Sequence, residues 1–131
     1  MKILSSDRSS WIEMERVGDD GFVTYSVAAA IGGFSARHDA ITLVGVPQFC
    51  AKLAQFDRTR KGEIVLEGGE DFRFVIRSLD ASGHLWVGVR IVRYTFLPSP
   101  GVADPLRFSG GFDFDPEFAT RLFADLRALL E

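Results

Sequence analysis

Residues 72–79, Phe72-Arg73-Phe74-Val75-Ile76-Arg77-Ser78-Leu79, and residues 84–92, His84-Leu85-Trp86-Val87-Gly88-Val89-Arg90-Ile91-Val92, decide the fold. In both, apolar and polar positions alternate with a period of two, the mark of a strand that buries one face. Phe72, Phe74 and Ile76 oppose Arg73, Val75 and Arg77 in the first; Leu85, Val87, Val89 and Ile91 oppose Trp86, Gly88 and Arg90 in the second. The intervening Asp80-Ala81-Ser82-Gly83 consists of turn formers, so the two runs read as consecutive antiparallel strands.

Working outward, Gly68-Gly69-Glu70-Asp71 turns back to a strand over Glu63 to Glu67, and the strand from His84 extends to Phe96. A further strand runs from Leu106 to Phe114. Between them, Leu97 to Pro105 contains Pro98, Pro100 and Pro105 and reads as a long loop, because proline stops both a helix and a central strand. Upstream, Ser10 to Val17 and Phe22 to Ala30 form a hairpin about Gly18-Asp19-Asp20-Gly21, and Phe34 to Val44 supplies a third strand with a break near His38-Asp39. Gly32-Gly33 reads as a bulge or bend. Pro47 opens a short helix in which Phe49, Cys50, Leu53 and Phe56 recur at helical spacing, ending before Lys61-Gly62. At the other end Asp115 is an N-cap, Pro116 and Glu117 fit a first turn, and Phe118, Leu122, Phe123, Leu126, Leu129 and Leu130 form an apolar stripe. The expectation is a single α+β domain over residues 1–131. It has one antiparallel meander of six or seven strands, a short helix after the third strand, and a C-terminal amphipathic helix packed on the sheet.

The 131 residues suit one domain, and 47% apolar with 25% charged residues is an ordinary globular balance. The 12 Phe against 2 Tyr and 2 Trp give a core filled by phenyl rings. The single cysteine, Cys50, cannot close an intramolecular disulfide, residues Met1 to Arg8 have no apolar run of signal-peptide length, and no segment approaches the ~20 apolar residues of a membrane span. A cytoplasmic location and no membrane association are expected. The net charge of -3 argues against nucleic acid as a partner.

The chemistry of catalysis is not assembled in this sequence. His38, His84 and Cys50 carry no nucleophile–base signature, and Cys50 falls on the apolar side of the first helix as a small core residue. His38 and Asp39, adjacent on a strand, point to opposite faces, which breaks a dyad or a metal pair; no spaced Cys/His set or HExxH occurs. Glu70-Asp71 suits a solvated turn, Asp115 a cap, and Gly32-Gly33 and Gly110-Gly111 lie in strand-like runs without a phosphate-loop signature. No catalytic residue, cofactor site or metal site is expected.

One surface feature stands out. Alternation places Arg73, Arg77, Arg90 and Arg107 on the face opposite the phenyl-rich side, with Trp86 on the same face. Arginine suits planar, bidentate recognition of carboxylates or phosphates and is enriched at protein interfaces, where tryptophan on the same face makes a fitting anchor. These five residues are the candidate partner-binding set, against the plainer reading of a solvated face with cross-strand ion pairs.

The order of elements adds a resemblance. A strand-rich first third, a short helix with Phe49 and Leu53, Gly62-Glu63-Ile64-Val65-Leu66, two long strands, and Leu106-Arg107-Phe108-Ser109-Gly110-Gly111-Phe112-Asp113 leading into a Leu-rich helix resemble the WapI-type immunity proteins and related bacterial families, over roughly Phe22 to Leu130. The resemblance implies a small cytoplasmic protein that binds and neutralises a cognate toxin without catalysis, and it carries no site residues. Two other functions stay open: a ligand-binding or enzymatic domain with a pocket between sheet and helices, and a homodimer or other homo-oligomer that hides the Trp86 face.

Overall fold

A computed structural model describes residues 1–18, 21–94 and 105–131. The chain forms two antiparallel meanders in succession, each of four strands. The first contains β1 (Lys2–Leu4), β2 (Trp11–Gly18), β3 (Thr24–Ile31) and β4 (Phe34–Ile41); the second contains β5 (Glu63–Glu67), β6 (Phe72–Ser78), β7 (Leu85–Arg93) and β8 (Leu106–Phe114). Helix α1 (Val46–Thr59) connects them, and α2 (Ala119–Leu130) follows a 3-10 turn at Pro116–Phe118. The α+β class and the antiparallel meander agree with the sequence; the single sheet of six or seven strands does not. There are two sheets, and α1 follows the fourth strand because the three-residue β1, too short to show a period, adds to the edge of β2.

Register explains the core. Across the second sheet Phe72 pairs with Ile91, Phe74 with Val89 and Ile76 with Val87, while Val87 pairs with Phe112 and Leu85 with Phe114. Cross-strand partners share a face, so every one of these side chains lands on the same side, and all are buried. The first sheet contributes Ile3, Ile12, Met14, Val27 and Ala29 to the same continuous core. Helix α1 adds Phe49, Leu53 and Phe56, and α2 adds Leu122, Phe123 and Leu126, with Phe56 and Phe123 meeting edge to face at a centroid distance of 5.8 Å.

Local chemistry sets the element ends. Gly32 and Gly33 both have positive φ, 60° and 85°, and Ile31 pairs directly with Phe34. Of the two expected alternatives the pair is therefore the bend, a two-residue hairpin turn, and not a bulge, in the geometry that glycine adopts without steric cost. Asp115 caps as expected, its Oδ1 accepting from the Glu117 backbone N–H at 2.9 Å. Phe118 departs from the expected stripe: it lies in the 3-10 turn and is 59% exposed, and Ala119 takes the buried place. The sheets are joined by an antiparallel bridge between Val44 and Glu67, and by the Ser6 backbone N–H donating to Asp113 O at 3.0 Å. Most of the loop read between Leu97 and Pro105, the end of the His84–Phe96 run and the turn at Asp19-Asp20 lie outside the described residues.

Candidate functional site: the outer face of the second sheet

The register of β5 to β8 also orders the solvent side. One cross-strand row reads Glu63, Arg77, Trp86, Asp113; the next Val65, Val75, Gly88, Gly111; the next Glu67, Arg73, Arg90, Ser109; and Arg107 pairs with Val92 beyond it. All five sequence-selected residues, Arg73, Arg77, Trp86, Arg90 and Arg107, thus stand on one face, opposite the phenyl-rich core.

At the centre of this face Trp86 lies flat. Gly88 and Gly111 are cross-strand partners, and a Cβ built on either would lie 2.1 Å and 2.0 Å, respectively, from an indole ring atom. The ring therefore occupies space left by two absent side chains and covers bare backbone; Gly88 is buried beneath it. Arg77, the cross-strand partner of Trp86, stacks its guanidinium over the ring at 4.1 Å from the centroid. Glycine pair, indole and guanidinium form a layered platform, held without the rotamer freedom of an isolated surface tryptophan.

The remaining arginines are poorly neutralised. Arg73 reaches Glu67 Oε1 only at 3.9 Å, with both side chains substantially exposed. Arg73 and Arg90 are direct cross-strand partners, a like-charge opposition that weakens the sheet. Among the described residues neither the Arg90 nor the Arg107 side chain makes a hydrogen bond or ion pair. Among the described residues, the cross-strand ion pairs of the plainer reading are limited on this face to the long Arg73–Glu67 contact. No family model, curated protein or solved structure matches this chain.

The residues weighed for catalysis fall elsewhere. His84 Nδ1 donates to Asp80 Oδ2 at 2.6 Å at the turn between β6 and β7, where the carboxylate raises the imidazole above its ordinary value. Asp80, in turn, is held below the usual carboxylate range, first by that hydrogen bond. His38 Nε2 lies 3.4 Å from Asp71 Oδ2, whereas Asp39 turns to Ser26 and Arg37, so the neighbours do point apart. Cys50 is half-buried against the core, and burial pushes its thiol up, away from nucleophilic character. Among the described residues no cluster of His, Cys, Asp or Glu could hold a metal ion, and no helix is long and apolar enough to cross a membrane.

The alternation in the sequence was enough to find the arginines and Trp86. It did not reveal the glycine floor, since Gly88 and Gly111 meet only through the β7–β8 register. A flat-lying indole needs both.

Proposed function

We propose that this chain is a non-enzymatic cytoplasmic binding protein, of immunity type, that holds a carboxylate-presenting protein partner on the outer face of its second sheet. The observation that carries the reading is the Arg77–Trp86 stack on its Gly88–Gly111 floor, beside Arg90 and Arg107. A pre-ordered aromatic surface loses little side-chain entropy on association, and unpaired guanidinium forks supply bidentate hydrogen bonds to acidic side chains. Arginine and tryptophan are also the residues that most often dominate binding energy at an interface centre. The resemblance to immunity proteins fits the same picture.

The test is affinity capture from the source cell with tagged protein, followed by mass spectrometry and sizing, repeated with Arg77→Glu and Arg90→Glu. A stoichiometric protein partner is expected, bound about thirtyfold or more weakly by each variant, the loss of ~2 kcal/mol expected at such an anchor. Arg90→Glu replaces the Arg73–Arg90 opposition with an attractive pair, so the fold is not weakened. Unchanged capture by both variants would remove this face from the reading. Recovery of a homodimer that the same variants dissociate would assign the face to self-association instead.

A further inference from the structure

At a different place in the fold, β1, the Ser5 to Ser10 turn and the start of α2 enclose a cleft of about 520 Å³. That volume is within the range of small-molecule sites, and the cleft shares none of its lining with the arginine face. Two large apolar side chains left in water, Leu4 at 45% and Phe118 at 59% exposure, both belong to its wall, and the buried Ile3, Phe114 and Leu122 continue it. Phe118 is the residue that leaves the expected stripe of α2, so its exposure is concentrated where an apolar ligand surface could cover it.

The charges in the cleft do not cancel. Three cations, Lys2, Arg8 and Arg121, stand against two carboxylates, Asp115 and Asp125, which leaves one positive charge in excess. Lys2 Nζ already sits over the Trp11 ring at 4.8 Å, and Asp115 Oδ1 accepts the capping hydrogen bond from Glu117 N. Among the described residues Arg8 and Arg121 make no hydrogen bond through their side chains and no ion pair.

Arg8 is moreover held in an unusual place. Its φ of 63° is left-handed, a conformation that arginine adopts only when its surroundings impose it. The imposing structure is a small polar knot. Asp7 Oδ1 accepts from Ser5 Oγ at 2.6 Å, Ser9 N at 2.9 Å and Ser9 Oγ at 2.7 Å, while Ser10 N donates to Ser5 Oγ at 3.0 Å and Arg8 N to Ser5 O at 2.9 Å. These bonds, Ser5 first, lower the Asp7 carboxyl to about 2.

We propose that this cleft binds a small monocarboxylic acid with an apolar body, its carboxylate held by Arg8 and Arg121 and its body lying on Leu4 and Phe118. The single excess positive charge suits a monoanion, the guanidinium fork suits a planar carboxylate, and the apolar wall requires more than a bare anion.

The experiment is an NMR titration of ¹⁵N-labelled full chain with 3-phenylpropionate, with 3-phenylpropan-1-ol, which lacks the charge, and with acetate, which lacks the apolar body. Saturable shifts confined to the amides of Leu4 to Arg8 and Phe118 to Leu122 are expected for 3-phenylpropionate, with the alcohol and acetate at least about tenfold weaker. Arg121→Gln and Arg8→Gly should each weaken the acid by a similar factor and leave the alcohol unchanged. Glycine accepts the positive φ at position 8, so Arg8→Gly removes the charge without straining the turn. Absence of saturable shifts, shifts centred elsewhere, equal binding of acid and alcohol, or indifference of the acid to both variants would overturn the assignment.

Discussion

Replacing Gly88 by alanine tests the platform at its base. In the wild type the new methyl group would lie 2.1 Å from a Trp86 ring atom, and the three atoms nearest to that Cβ all belong to the Trp86 side chain. The indole must lift, and overpacking of this kind costs about 1–3 kcal/mol. In a Trp86→Ala background the obstacle is gone. Gly88 is not in the left-handed region, so alanine there should stabilise the strand by about 0.5–1 kcal/mol relative to glycine. The two effects differ in sign, and a double-mutant cycle should give a coupling of roughly 1.5–4 kcal/mol between positions 86 and 88. Gly111→Ala provides an internal contrast. Its Cβ would meet the ring and also the backbone oxygen of Val87 at 2.6 Å, so part of its cost should persist when Trp86 is removed. Urea unfolding of the four proteins of each cycle, with m-values compared, measures these quantities. Gly88→Ala costing the same with and without Trp86 would refute the flat-lying indole, and with it the pre-ordered surface proposed to meet a partner.

Three further outcomes are expected. The His84 imidazole should titrate by NMR above its ordinary 6.5, because Asp80 accepts its hydrogen bond and attracts its charge, and Asp80→Asn should return it toward that value. A raised histidine stabilises the fold fully below its unfolded pKa and ceases to do so as pH rises through the folded one. The lowered Asp80 contributes above its unfolded value and loses that contribution as pH falls through its folded one. The stability difference between wild type and Asp80→Asn should therefore be greatest between these limits and fade on either side. Asp115→Ala, which removes the cap on Glu117 N, should cost about 1 kcal/mol and lower the melting temperature by a few degrees; no change would show the cap to be idle in solution. Phe74→Ala, at a fully buried site in the middle of the second sheet, should cost about 3–5 kcal/mol in urea unfolding, and a loss near that of a surface substitution would contradict its central place.

The period-two runs at Phe72 and Leu85 were legible because each strand has one wet face, and the same alternation that buries Phe74 and Val89 turns Arg73 and Arg90 outward. The place where one sheet ends and another begins was not legible. Alternation reports which side chains are buried but says nothing about whether β4 pairs with β5, and only the lone Val44–Glu67 bridge joins the sheets at that point. Gly32-Gly33 alone signals a bulge or a bend, and only the pairing of Ile31 with Phe34 selects the bend, a two-residue hairpin turn. Phe118 was placed on the helical stripe by spacing alone, and the Pro116–Phe118 turn, tighter than an α-helix, rotates it away. The cleft beside it joins residues from both ends of the chain, a juxtaposition no local pattern carries.

In both sheets every strand pairs with its neighbour in sequence, so each meander sets its own register from contacts local in the chain. The platform and all four of its arginines are encoded within the second meander, and none of them depends for its register on β1 to β4. Within that meander the same strands carry core side chains on one face and the arginines on the other, so the two sets of positions alternate along the chain. The charge and shape of this outer face can therefore change by substitution while the strand pairing of both sheets stays as it is.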